Sequence, residues 1–398
     1  MKSESISTGR LVLAFTLALG MAPVANLQAH AQGFSVIHNF TGGSDGGSPA
    51  NGFIANGKIL FGTTSSGGAS NNGVVFKINA TTGVETVLHS FAGGTDGAIP
   101  QGSLVRSKAG DLYGTTTAGG ASGFGTVFEI KGKDETILYS FAGGKDGATP
   151  TAGLVLDAAG NLYGTTSQGG SNGNGTVFKL TAPQTKGGAW TESVLYSFGA
   201  GTDGSDPVGG VSFDAVGNLY GTTSAGGSYG YGTVYQLVPG TNWTENILHN
   251  FQNGDDGAVP YASLIADKAG NFYGAATEGG TNGGGTVFEL TLSKGSWAFA
   301  VLYSVPGWGI SGSYRSVVLD ASGNIYATTH CDGDYNAGTV YELMPSGGAW
   351  TYTVLYNFTG GSDGLYSFSN LVMESGKVYG TARYGGADGN GVIFEVTP

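Results

Sequence analysis

Seven times, at intervals of 50 to 57 residues, this chain repeats one four-part phrase, clearest as Gly153-Leu-Val-Leu-Asp157, Asn161-Leu-Tyr-Gly-Thr-Thr166, Gly175-Thr-Val-Phe-Lys-Leu180 and Glu192-Ser-Val-Leu-Tyr-Ser-Phe198. One aromatic of the second segment returns in every unit, as Phe61, Tyr113, Tyr163, Tyr220, Tyr273, Tyr326 and Tyr379. Another marks the third segment, as Phe76, Phe128, Phe178, Tyr235, Phe288, Tyr341 and Phe394. A period near 50 with four short strand-like runs per unit is the signature of a propeller blade, which buries its apolar faces only by stacking on its neighbours. The expected fold is all-β, a seven-bladed β-propeller of four-stranded blades. Such regularity is scaffold, so function is sought where the repeat departs from itself.

The four runs of a unit are strands A to D. Runs such as Leu154-Val-Leu156 and Val177-Phe-Lys-Leu180 are nearly continuous in apolar residues, as strands covered on both faces should be. Asp157-Ala-Ala-Gly-Asn161 and its copies from Asp214, Asp267 and Asp320 are tight-turn sequences that join A to B as a hairpin. The turn accounts for these Asp residues, so a catalytic role is not assigned to them. The first recognisable segment, Ser35-Val-Ile-His-Asn-Phe40, is a D strand, whereas the last, Gly391-Val-Ile-Phe-Glu-Val396, is a C strand. The ring is therefore expected to close by the N-terminal strand completing the last blade, which leaves no open sheet junction between first and last blades.

The segment 1–31 has Lys2 and Arg10 ahead of an apolar run from Leu11 to Met21, then Ala29-His-Ala31, the small residues a signal peptidase reads. It is expected to be an export signal, because the run is shorter than the roughly 20 residues of a spanning helix. Residues 32–398 would then form the propeller, and no membrane span is expected after cleavage. The charge at pH 7 is −12, and the basic residues are scattered, which disfavours a nucleic-acid partner. Cys331 is the only cysteine, so no internal disulfide holds the exported chain and its stability must come from a large core. Gly at 76 of 398 residues would elsewhere raise the question of disorder, but here the glycines recur at fixed offsets between aromatic-rich runs.

The phrase Asn-Leu-Tyr-Gly-Thr-Thr, a glycine pair and Gly-Thr-Val-Phe resembles the GloVer tandem repeat of exported bacterial proteins over essentially the whole of residues 32–398. The A-B-C pattern is also similar to NHL and kelch-like propeller repeats. The resemblance implies export and repetition and carries no assigned activity. Relatives often append a C-terminal surface anchor. The last strand here ends two residues before Pro398, so free secretion is the simpler expectation, with a periplasmic or surface-associated protein as the alternatives.

In an antiparallel blade the D-to-A and B-to-C connections share one face of the ring, and this glycine-rich face is where a ligand is expected. Trp190, Trp243, Trp297 and Trp350 fall in the opposite C-to-D connections and are expected to pack along outer strands. Asp45, Asp96, Asp146, Asp203, Asp256 and Asp363 recur in the D-to-A loops. Calcium would want several oxygens per site, so a loop with one Asp is read as a turn cap, and no metal or cofactor is expected. His38, His89 and His249 replace the strand-D Tyr of other units and are read as packing or edge residues. The glycine strings lack the following helix of a phosphate loop, and no nucleophile elbow or zinc-ligand cluster is present in the sequence.

Departures from the repeat concentrate in units five to seven. Glu278, His330 and Arg383-Tyr384 follow strand B where earlier units carry Ser, Thr, Gln or Ala; Tyr261, Tyr314 and Phe368 precede strand A, with Arg315 beside Tyr314 and Trp308 in place of an Asp-Gly loop. Aromatic faces beside an acid, an imidazole and guanidinium groups are what a sugar site requires, and Arg suits a carboxylated sugar. Drift of a weakly constrained repeat explains the same residues without a ligand. The expected function is non-enzymatic binding of an extracellular polysaccharide or protein by a monomer. The alternatives are a glycoside hydrolase or polysaccharide lyase using Glu278 or His330 as acid or base, and a purely structural surface protein. No catalytic residue is assigned.

Overall fold

The computed structural model describes residues 33–50, 52–185, 187–199, 201–307 and 317–398. The segment 1–31 and Trp308, Tyr314 and Arg315 lie outside the described residues. Seven antiparallel sheets follow one another around a ring, each ordered A-B-C-D. Blade 3 is representative, with strands Val155–Leu156, Leu162–Thr166, Thr176–Thr181 and Thr191–Ser197. The last blade consists of Val372–Glu374, Lys377–Ala382 and Val392–Thr397, completed by the N-terminal strand Gly33–Asn39. Phe34 lies opposite Val396 and Val36 opposite Phe394, so the ring closes as expected.

The repeated glycine of strand B follows from the repeated aromatic of strand C. Gly164 lies directly across from Phe178, and a Cβ there would sit 2.8 Å from the end of that ring. The ring fills the space and is fully buried, as are Phe76, Phe128, Phe288 and Phe394 in other blades; each such ring contributes on the order of 2 kcal/mol by burial. Strand-B Tyr residues serve the A–B hairpin: Tyr163 and Tyr220 donate their hydroxyls to Asp157 and Asp214 at 3.1 and 3.0 Å. The same Asp157 accepts the backbone N–H of Ala159 and Asn161, which explains the recurrent Asp-x-x-Gly-Asn turn.

The Thr-Thr pair divides its work between and within blades. The first hydroxyl crosses to the next blade: Thr115 donates to the Ala152 carbonyl at 3.0 Å, Thr165 to Gly209 at 3.0 Å and Thr222 to Ala262 at 2.8 Å. The second stays in its own blade, Thr166 donating to the Gln168 carbonyl and pairing with Thr176. Buried hydroxyl bonds of the crossing type are worth about 1 kcal/mol each, and they tie neighbouring blades at the axis. The Trp residues of the C-to-D connections lie against the preceding blade, as Trp190 does edge-on to Tyr113 at 6.2 Å.

Candidate functional site

Among the described residues the D-to-A loop lies antiparallel to the end of strand B of the same blade, shown by the pairings Ala148 with Gln168, Ala258 with Glu278 and Leu365 with Tyr384. The two glycine-rich connections therefore share one face. A residue in left-handed conformation recurs in that loop, as Ser48, Ile99, Thr149, Asp206, Val259 and Tyr366, with φ between 50° and 58°. Its N–H reaches the B-to-C loop of the preceding blade: Ile99 donates to Asn72, Val259 to Tyr231 and Tyr366 to Ala337, at 2.9, 2.9 and 3.1 Å. For β-branched Ile99 and Val259 this backbone costs on the order of 1–3 kcal/mol, offset by stitching adjacent blades together. The loop face is thus a fixed platform.

On that platform the structure gathers some of the predicted residues and separates others. His330 stacks on Tyr366 at 4.4 Å and meets Phe368 at 4.3 Å with the rings tilted by 52°. The Arg383 guanidinium lies 5.6 Å from the ring centres of both Phe368 and Tyr384. His330, Arg383 and Tyr384 therefore form one shelf across blades 6 and 7. Burial, and secondarily the Arg383 charge, push the His330 imidazole down to about 4, so it is neutral at neutral pH. Arg383 Nε is buried without a hydrogen-bond partner. Tyr261 instead lines the axis with Ser103, Ser263 and Asn370, where the cavity is about 10 Å³, room for one water at most. Glu278 sits on blade 5, paired with Ala258. Tyr366 was missed because its loop reads as an ordinary Asp-Gly turn; only its equivalence within the repeat to the φ-positive Ile99 and Val259 marks it.

The six loop Asp residues accept backbone N–H bonds from four residues earlier, among them Ala142 to Asp146 at 2.7 Å and Thr359 to Asp363 at 2.8 Å. They also bind the strand-D residue read as packing: Tyr139 donates to Asp146 at 3.0 Å, and His249 Nε2 lies 2.9 Å from Asp256. The next blade supplies a third member at the outer rim. In blades 1 to 4 it is Glu85, Glu135, Glu192 and Glu245, each with one oxygen buried and unpartnered. Burial, then the charge of the facing Asp, raises Glu192 to about 7; for Glu245, burial and then the Asp203 contact raise it to about 8. In blades 5 to 7 the same position is Phe299, Tyr352 and Phe34, stacked in parallel on His249, Tyr303 and Tyr356 at 3.6, 5.1 and 3.6 Å. The sequence signal was the first residue of the strand-D phrase, Glu in four units and aromatic in three.

The architecture is that of a β-propeller repeat protein. The chain matches the Gloeobacter/Verrucomicrobia repeat over residues 23–159 and 207–398, and it belongs to that family. No curated protein matches it. Among solved structures it is similar to a Bacteroides uniformis protein provisionally assigned as 6-phosphogluconolactonase, at 14% identity and TM-score 0.53 over 81% of this chain and 88% of that one. A counterpart from Bacteroides fragilis shares 19% identity at TM-score 0.51, over 81% and 87%. An ulvan lyase, a polysaccharide lyase bound to a GlcA-containing glycan, shares 11% identity at TM-score 0.53, over 88% and 94%. At these identities the likeness is one of fold. Among the described residues no helix is long and apolar enough to cross a membrane.

Proposed function

We propose that this protein is an exported propeller that binds carbohydrate, favouring carboxylated sugars, through the loop shelf of blades 6 and 7. The observation that carries the reading is the Arg383 guanidinium held over Phe368 and Tyr384 beside a neutral His330. Tyr384 is 40% exposed and offers a ring to a sugar's C–H face. The guanidinium offers a paired donor to a carboxylate, and the imidazole a neutral hydrogen-bonding edge. A polysaccharide lyase is the second reading, favoured by one feature: an unprotonated His330 next to a cation can accept a proton from carbon α to a carboxylate that the cation neutralises.

A glycan array that includes acidic polysaccharides, followed by titration of the best binder, tests both readings. Arg383→Gln and Tyr384→Ala should weaken binding by roughly 10- to 100-fold each, the worth of a charge-assisted bond or a ring contact. Gln168→Ala, at the position of Tyr384 on blade 3, should leave affinity unchanged. Affinity that survives both shelf changes sinks the assignment. Steady release of unsaturated product that stops in His330→Gln moves the protein to the lyase reading, and no binding to any glycan favours a structural role.

A further inference from the structure

At the outer rim between blades 1 and 2, His89 Nε2 lies 3.2 Å from Asp96 Oδ1, and Glu135 faces both from the next blade. One potential ligand atom from each of the three lies within 4.8 Å of the other two. Other rim niches hold Tyr in place of His: the Tyr196 hydroxyl bonds both Asp203 and Glu245, giving the two carboxylates a shared donor. In the His89 niche the phenol is gone. Glu135 Oε1 is shielded from solvent and has no hydrogen-bond partner, although two carboxylates share the space. Asp96 caps its turn through Oδ2, which accepts the Ala92 N–H, and the imidazole Nε2 lies between both of its oxygens, 3.2 Å from Oδ1 and 3.3 Å from Oδ2. Phe91 meets the His89 ring edge-on at 4.8 Å and fixes its plane.

We propose that His89, Asp96 and Glu135 bind a divalent transition cation of the zinc class. One imidazole nitrogen and two carboxylate oxygens are ligands of the type zinc takes, at about 2.0–2.2 Å, and three protein ligands leave a fourth position for water. A cation would neutralise the facing carboxylates and give the unpartnered Glu135 oxygen its partner; in the Tyr196 niche the hydroxyl bridges Asp203 and Glu245 Oε2, and Glu245 Oε1 stays unpartnered as Glu135 Oε1 does. Closing the ligand atoms onto an ion asks for side-chain adjustment only, since both His89 and Asp96 stay partly open to solvent, at 18% and 22%. The niche of His38, Asp45 and Glu85 has the same residue types in a looser arrangement, with His38 Nε2 3.6 Å from Asp45. The His249 niche has Phe299 where Glu would stand and so offers one ligand fewer. The ring therefore contains its own controls.

The experiment uses the secreted form without a histidine tag, stripped with chelator and titrated with zinc chloride by calorimetry, with cobalt substitution to report the ligand field. One tight equivalent is expected. His89→Tyr installs the residue that blades 2 and 3 already carry at this position, so the fold should survive, and Glu135→Gln keeps the shape of the side chain. Each should weaken zinc by more than about 100-fold, because even outer-shell partners are worth 10- to 100-fold. Glu245→Gln should leave zinc binding as it was. Unchanged affinity in His89→Tyr and Glu135→Gln overturns the site, as does loss of the tight equivalent in His38→Tyr alone. Saturation by calcium without zinc binding overturns the ligand chemistry.

Discussion

The rim of this propeller solves one structural problem in two ways. Where blades 1 to 4 meet the strand before them, a Glu faces a loop Asp across a His or Tyr; where blades 5 to 7 do so, an aromatic lies flat on an aromatic or imidazole. The aromatic niches gain dispersion and bury no charge. The acidic niches hold a carboxyl that is poorly solvated and pressed by a second carboxylate, so they cost stability unless a proton, a hydroxyl or a cation intervenes. The N-terminal strand separates the two kinds, with Phe34 in the stack on Tyr356 and His38 facing Asp45 in the first acidic niche. Repetition of backbone thus did not require repetition of chemistry.

The hardest way to break the aromatic half is at the closure. Removing residues 33–40 deletes the outer strand of the last blade and the fully buried Phe40, and exposes the backbone edge of Val392–Thr397. Loss of cooperative unfolding is expected, because every blade depends on both neighbours. The single change Phe34→Ala should cost about 3 kcal/mol, the lower end for deleting a packed ring. Thermal melts read both; a truncated chain with the parent's Tm would refute the shared blade.

The acidic half should announce itself through pH. Glu192 and Glu245 hold their protons to about 7 and about 8 in the folded ring, whereas an unfolded Glu releases its proton near 4.5. The native state therefore binds more protons between these values, and stability must fall as pH rises through that window. Below about 4.5 both states are protonated and the groups contribute no difference; above about 8 the loss is complete. Because the side chains are only partly buried, solvent screening reduces the effect to about 1 kcal/mol per site. Urea unfolding at pH 5 and pH 8 should show the decline, and the Glu192→Gln/Glu245→Gln pair should remove about half of it, because Glu85 and Glu135 are likewise raised to about 7. A wild-type protein as stable at pH 8 as at pH 5 would show that these carboxyls ionise without strain.

What the sequence made legible was whatever repeats along the chain. Blade number, strand order and closure follow from a phrase whose period and phase are visible, and the Asp-x-x-Gly-Asn turn carries its own local chemistry. What depends on neighbours across a blade boundary was not legible. Glu135 and Asp96 are 39 residues apart and meet only because consecutive D strands are adjacent at the rim. His89 and His249 looked like substitutes for a packing Tyr until the loop Asp was seen beside each ring. Of the predicted cluster, His330, Arg383 and Tyr384 meet because blades 6 and 7 are neighbours and their loops are stitched by Tyr366, whereas Tyr261 points to the axis. A same-face argument ranks residues by height on the ring and says nothing of their distance from its centre.

The smallest effect separates two niches of the same acidic kind. Tyr196 serves both Asp203 and Glu245, at 3.2 and 3.1 Å, whereas the Tyr139 hydroxyl donates to Asp146 at 3.0 Å. Tyr196→Phe should cost about 1 kcal/mol, one hydrogen bond's worth, and lower Tm by roughly 2 °C. It should also move the alkaline decline of stability to higher pH, because the phenol's bond favours ionised Glu245 and its removal raises that carboxyl further. Tyr139→Phe should cost no more than Tyr196→Phe and leave the pH profile in place. Equal shifts of the profile in both variants would mean that the phenol acts on the loop Asp in each niche, and that Glu245 feels it only through Asp203.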